Sequence, residues 1–515
     1  MHIEARVERM RKHKRITFSW DWVKLHKKAY KYFGIEELRP GQKQIIETVL
    51  KGGNALGVMP TGAGKSLCYQ LPALFFPKTT VVVTPLLSLM HDQTLKLEEA
   101  GVEVTHLDST LTSREEKEAV RDVKNGHNAL VYVTPERLEN PQYLEILKKG
   151  GVSLLVVDEA HCVSQWGHDF RPAYLAIRKA IEALGNPPVL ALTATATPEV
   201  EKDILAQLNV ENVKVFHTGV DRKNLSFAVY RTVNAEMKFQ RLTTLIHDNP
   251  GTGIIYVSTI RLANELHAQL LKVGVIAGKY HGKMRMKDRE AVQEDFMANR
   301  YRVIVATKAF GLGIDKPDVR FVIHYTFPDS VESYYQEAGR AGRDGKKAVV
   351  ALLYRLEDKR VHCFFLGGKY PNRSDAAQLY STLIKLTEIG QKTTELNAVI
   401  ATSGLAKRKV QVLIAYLEKE KIIQNRKGIS LKKVFTDGDS LDKFLSHYEE
   451  RLGQDKTRIQ EIMKYGQTTS CRAQFFRDYF GEKHGQVCQK CDNCKGKFLN
   501  PIPTTNEWTQ EKVLA

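Results

Sequence analysis

MPTGAGKS, residues 59–66, closes one apolar stretch, and LLVVDEAH, residues 154–161, ends another in two consecutive acids. In the first, Gly62 and Gly64, flanked by Thr61 and Ala63, let backbone amides approach phosphate oxygens. Lys65 supplies a point charge there and Ser66 offers a hydroxyl to Mg²⁺. In the second, Asp158 leaves a buried strand where it can hold Mg²⁺ through water, and Glu159 can orient or deprotonate an attacking water. The strict P-loop pattern has glycine where Met59 stands, so the loop alone is a weak signal. Asp158 and Glu159 alone would serve equally well as a helix N-cap and its first-turn acid. Together, the two segments specify an ATP site.

Working outward, short β-branched runs alternate with helix-length segments: VVVTP at 81–85, ALVYVTP at 129–135, GIIYVS at 253–258, VIVAT at 303–307 and FVIHY at 321–325. Such runs read as parallel strands buried on both faces and joined by helices, an α/β class. The pattern is too long for one nucleotide-binding sheet, so we expect two tandem lobes, 30–215 and 216–355, behind a basic arm at 1–29. LRPGQ at 38–42 precedes the P-loop by a helix, a position from which Gln42 can hydrogen-bond both edges of adenine and Arg39 can pack on its ring.

The 515 residues carry a formal charge of +18, which makes a polyanion the first partner to consider, although lysine and arginine also serve as plain solvated surface. Residues 1–31 hold ten Lys or Arg against Glu4, Glu8 and Asp21. That arm lacks a signal peptide's apolar core, and no apolar run approaches the roughly 18 residues needed to span a bilayer. The expectation is a soluble intracellular protein with no membrane partner. RKHKR at 11–15 reads either as a nuclear signal or as a phosphate contact.

Beyond Tyr354 the strand pattern gives way to helical segments, with TTELNAVIA (393–401), a Ser403–Gly404 turn and LAKRKVQVLIAYLEKE (405–420). Followed by IIQ and ISL, these make region 356–440 either a winged helix, with Lys407, Arg408 and Lys409 opening its second helix, or a plain bundle whose basic residues face water. In region 441–500, Cys471, Cys488, Cys491 and Cys494 offer four soft ligands suited to one structural tetrahedral Zn²⁺, with His484 a conceivable substitute and 501–515 a tail.

DEAHCVSQWGHDFRPAY at 158–174 goes beyond a general ATPase and closely resembles the RecQ helicases. So do TPLLSLMHDQ (84–93), LTATAT (192–197), VIVATKAFGLGIDKPDVRFVIHY (303–325) and SYYQEAGRAGRDG (333–345), in matching order and spacing. The resemblance implies a superfamily 2 motor of two RecA-like lobes that hydrolyses ATP to move 3′ to 5′ on single-stranded DNA and unwinds partly duplex DNA in repair and recombination. Arg340 and Arg343 then become the lobe 2 charges on the γ-phosphate, with Arg343 chosen as the finger. Asp315 matches the acid that ties DNA contacts to the nucleotide site. Trp166, His168, Phe170 and Arg171 form an aromatic-rich coupling loop, where aromatics stack on bases and the arginine binds phosphate. His161 reads as a relay toward Thr193 and Thr195, or as a satisfied buried histidine.

Two departures from the family stand out: about a hundred residues separate motor from zinc cysteines, and only 21 follow Cys494, too few for a winged helix after the zinc. Family resemblance alone suggests a single-strand binding protein and a topoisomerase as partners, and a cytoplasmic, nucleoid-associated location, or a nuclear one in a eukaryote. The rival readings are an RNA helicase and a DNA-binding scaffold with a degenerate motor.

Overall fold

The computed structural model describes residues 20–85, 87–164, 166–167, 169–311, 316–358, 373–389, 393–419, 422–425, 428–432, 438–482 and 485–496. His168, Asp315, His484, the basic run 11–15, Arg426, Lys427 and the tail lie outside them.

Lobe 1 is a seven-stranded parallel sheet in the order β3-β4-β2-β5-β6-β1-β7. Its strands are β1 (Asn54–Val58), β2 (Thr79–Val83), β3 (Val104–Leu107), β4 (Leu130–Val133), β5 (Val152–Val157), β6 (Val189–Thr193) and β7 (Val213–His217). Helices cover both faces, which is why β2, β4 and β6 are buried along their whole length and why side chains alternate between two cores rather than between core and water. β7 adds to β1 through its full length, so the lobe 1 sheet runs to His217, two residues past the 215/216 junction drawn from the sequence.

Lobe 2 repeats the plan with six parallel strands, ordered β10-β11-β9-β12-β13-β8. These are β8 (Leu225–Arg231), β9 (Thr252–Tyr256), β10 (Ala277–Tyr280), β11 (Val303–Ala306), β12 (Val319–His324) and β13 (Ala348–Tyr354). The region that follows is helical and carries the expected helix-turn-helix: Leu396–Ser403 ends at Gly404 in the left-handed conformation, and Lys407–Lys419 follows. β14 (Ile423–Asn425) and β15 (Ile429–Leu431) then pair antiparallel as a wing, and Thr394 bridges to Ile429. The helices Arg373–Glu388, Leu396–Ser403 and Lys407–Lys419 close one small core with this wing, which makes the region a winged helix rather than a plain bundle.

The long helix Gly438–Gln467 returns the chain to lobe 2, where Ile459, Ile462, Tyr465, Phe476 and Phe480 join the lobe's own core. The cysteine segment caps the exposed edge of β8: Asp492 accepts from Val229 N at 2.9 Å and donates its own N–H to Phe227 O at 3.2 Å, and Ser226 donates to Lys490 O at 2.9 Å. Among the described residues no helix is long and apolar enough to cross a membrane.

Candidate functional site

The P-loop leaves β1 beside β6, and Asp158 and Glu159 leave the neighbouring β5, so both motifs emerge at the carboxyl edge of one sheet. Gly62 and Gly64 sit at φ +84° and +81°, backbone that a side chain would strain. Glu159 is also left-handed, at φ 48°, a cost of about 1–3 kcal/mol for a non-glycine, held here by the packed turn that follows β5. Tyr174 helps hold that turn by donating to Asp158 O at 3.0 Å.

A cavity of about 410 Å³ opens between the lobes. Lobe 1 lines it with Arg39, Gln42, Thr61, Gly62, Gly64, Lys65, Ser66, Asp158 and Glu159, and lobe 2 with Gly311, Gln336, Arg340 and Arg343. The expected phosphate and charge-neutralising residues thus share one space. Asp158 is pushed up to about 7, first by burial and then by the neighbouring Glu159 carboxylate, while Lys65 pulls it down. Arg340 is buried and donates to Gly311 O, whereas Arg343 packs directly over Gly62.

Gln42 is almost fully buried, and the protein satisfies both ends of its amide. Oε1 accepts from Arg39 N at 2.7 Å, and Nε2 donates to Gly64 O at 2.8 Å. Pairing with adenine therefore requires exchanging the bond to Gly64. Arg39 donates to Gly62 O.

A residue that the sequence reading missed completes this ring. Arg222, in the segment joining the lobes, donates to Thr61 O at 2.5 Å, and also to Gly339 O, Ala341 O and Gly342 O at 3.1–3.2 Å. Burial, followed by the charges of Arg343 and Arg39, lowers its pKa. Three guanidinium groups crowding one glycine loop is the electrostatic shape of a polyphosphate site. Its sequence signal was an arginine just ahead of β8, too generic to read alone.

His161 is buried, with Nδ1 3.0 Å from Thr193 Oγ1 and 3.4 Å from Glu159 Oε2; Thr193 Oγ1 in turn lies 3.1 Å from Thr195 O. The loop beyond it leaves Trp166 46% exposed, so that ring is not a core residue. Phe170 is half-buried, and Arg171 is tied to Pro85 O at 3.0 Å and to Asp169. Arg458, on the helix Gly438–Gln467, donates to Trp166 O at 2.6 Å and to Gly167 O at 3.1 Å, a second contact that the sequence did not reveal. Tyr334 and Tyr335 are buried packing residues, the first stacked on Phe476 and the second meeting it edge-on.

Cys471, Cys488, Cys491 and Cys494 place their sulfurs within 4.8 Å of one another. Cys488 Sγ and Cys494 Sγ are 3.9 Å apart, close to the roughly 3.8 Å that bonds of about 2.3 Å give in a tetrahedron. Backbone N–H groups of Cys488, Cys491 and Cys494 donate to the sulfurs of Cys471, Cys488 and Cys491, which stabilises thiolates. The four cysteines fit a closed structural Zn²⁺ site.

Three family models match the chain: the DEAD/DEAH box helicase over residues 39–204, the helicase conserved C-terminal domain over 237–345, and the RecQ zinc-binding domain over 433–495. The ATP-dependent DNA helicase RecQ of Bacillus subtilis (strain 168) is 37% identical over 466 residues, covering 90% of this chain but 65% of its own length. The probable ATP-dependent DNA helicase RecS of the same organism is 34% identical over 463 residues, covering 90% of this chain and 89% of itself. In fold, the chain is similar to the Mycobacterium smegmatis helicase Lhr bound to ssDNA and AMP-PNP, with a TM-score of 0.54 and 19% identity, over 81% of this chain and 60% of that one.

Proposed function

The chain belongs to the RecQ family of superfamily 2 helicases, and from that premise we propose that it is a DNA-stimulated ATPase that translocates 3′ to 5′ on single-stranded DNA and unwinds partly duplex DNA. The observation that carries the reading is the cavity in which Lys65, Asp158 and Glu159 of lobe 1 face Arg340 and Arg343 of lobe 2. Ser66 and Asp158 are the residues that would hold Mg²⁺, which when bound would supply positive charge that neutralises the phosphates. Lys65 holds the β- and γ-phosphates, Glu159 orients the attacking water and takes its proton, and Arg343 meets the charge that grows on the γ-phosphoryl group. Arg343 comes from the other lobe, so full stabilisation exists only when the lobes close. Each catalytic cycle thereby becomes a closing and opening of the two lobes across the DNA track.

The coupling path we favour runs from Glu159 through His161 to Thr193 on one side, and on the other into the Trp166 loop a few residues beyond the catalytic acid. The exposed Trp166 stacks on a base, Phe170 supports it and Arg171 takes a phosphate. His168 and Asp315 belong to the same proposal by motif position. We also propose that the protein acts on chromosomal DNA, in the bacterial nucleoid or a eukaryotic nucleus, beside single-strand binding protein and a topoisomerase.

The test is steady-state ATP hydrolysis with no nucleic acid, with single-stranded DNA and with RNA, at two salt concentrations, together with strand separation on 3′- and 5′-tailed duplexes. The expected result is strong DNA stimulation, lost in Lys65→Ala, weaker at higher salt and paired with unwinding of the 3′-tailed duplex only. Preferential stimulation by RNA would move the protein to the RNA-helicase reading.

A further inference from the structure

At the β3 edge of the lobe 1 sheet, His91, His106 and Asp108 bring three metal-ligating atoms within 4.8 Å of one another. His91 Nε2 lies 2.9 Å from Asp108 Oδ2, and His106 Nε2 lies 3.8 Å from the same oxygen. The two imidazole rings are tilted at 50° to each other, with centroids 4.9 Å apart. In a tetrahedron, metal–nitrogen and metal–oxygen bonds of roughly 2.0–2.2 Å set ligands about 3.3–3.6 Å apart, a spacing that the two distances from the Asp108 oxygen bracket.

The carboxylate is fixed for that task. Asp108 is fully buried, and its other oxygen, Oδ1, accepts from both the backbone N–H and the hydroxyl of Thr110 at 2.6 Å, which aims Oδ2 at the histidines. Arg137 donates to Asp108 O and anchors the turn from behind. The His91 and His106 side chains remain 33% and 23% exposed, leaving an approach from solvent and room for water to complete the shell.

We propose that His91, His106 and Asp108 form a second metal site, distinct from the cysteine module, that takes a borderline divalent ion such as Zn²⁺ with two imidazoles and one carboxylate. Its ligands come from two elements, the helix Leu87–Glu99 and the end of β3. That helix also carries Leu89 and Gln93 into the ATP cavity, where Gln93 accepts from Gln70 at 2.7 Å. An ion here would therefore pin the helix that forms one wall of the nucleotide site.

The test uses the full chain with zinc already in the cysteine module. It is dialysed against micromolar Zn²⁺ and its bound metal is measured by mass spectrometry. A parallel titration with Co²⁺ reads weak nitrogen/oxygen d–d bands apart from thiolate charge transfer. The parent is expected to take up a second equivalent without new thiolate absorption, and His106→Gln and His91→Gln, each melting like the parent in metal-free buffer, are expected to lose it. A parent that holds only the cysteine-bound zinc, or variants that keep the second equivalent, would overturn the proposal and leave the cluster as a His91–Asp108 ion pair. If one variant fails to fold, the other and the parent's cobalt spectrum still decide.

Discussion

Asp158 shows how a single buried carboxyl carries both the chemistry and a stability cost. Its pKa is raised to about 7 because burial and the Glu159 charge both disfavour the carboxylate. The unfolded chain ionises this group near 3.8, so between pH 4 and 7 the native state holds a proton that the unfolded state has lost. Stability from this residue is therefore fully present below about pH 4 and lost as pH rises to 7. Asp158→Asn keeps a neutral side chain throughout. We predict that without nucleotide it melts higher than the parent at pH 8, by an amount on the order of a few kcal/mol, and that the gap closes toward pH 4, as read by calorimetry across that range. ATPase activity is lost in the same variant. Glu159→Gln is predicted to bind ATP while hydrolysis falls about 10²–10⁴-fold, since it removes the proton acceptor and leaves the phosphate cradle intact; nucleotide titration beside turnover separates the two.

Among the secondary-structure elements, what could be read from the sequence followed burial. Each Val-rich run quoted from the sequence falls on an interior strand, β2, β4, β5, β9, β11 or β12, because helices on both faces force every position to be apolar. The edge strands β3, β7, β8 and β10 gave no such signal: VKVFH in β7 is exposed or half-exposed throughout, so its composition resembles a loop. At the site, the P-loop, acidic pair and cysteines were legible because each function sits within a few consecutive residues. Arg222 and Arg458 were not, since each reaches a partner far away in sequence that only the tertiary fold brings close. Arg458 yields a prediction of its own. It grips the carbonyls of Trp166 and Gly167, and a charged donor lost from such bonds costs about 1.5–3 kcal/mol. Gly167 has no room to adapt, because a Cβ there would lie 2.2 Å from His161 O. Arg458→Ala should therefore loosen the aromatic loop and cut DNA stimulation of ATPase about tenfold, while the KM for ATP measured without DNA stays unchanged; a fall in basal activity of the same size would place Arg458 in general folding instead.

For the whole molecule, the zinc module is a brace on the nucleotide site rather than a separate appendage. Arg472 clamps Asp492 through two bonds of 2.9 Å and so fixes the cysteine loop against β8. From that platform Arg477 pairs with Asp221 at 2.6 Å, and Lys490 donates to Arg222 O and Lys223 O. The residue held between them is Arg222, whose guanidinium crosses to Thr61 in the P-loop. Cysteine loop, inter-lobe segment and phosphate cradle thus form one continuous chain of contacts, and a disturbance at its start should be felt as a loss of turnover. Arg222→Ala is expected to lower kcat on the order of 100-fold, the scale seen when a preorganised donor near a developing charge is removed. Lys490→Met keeps the cysteines and the side-chain bulk but releases the backbone of residues 222 and 223; it should lower kcat about tenfold with zinc content unchanged. If the module acts through Arg222, the double variant will be no slower than Arg222→Ala alone, because the brace then has nothing to position. Rates that instead multiply in the double variant would show that the two residues act independently and that the brace serves stability alone. Steady-state kinetics on the four proteins at saturating DNA, with bound zinc measured on each, distinguishes the outcomes.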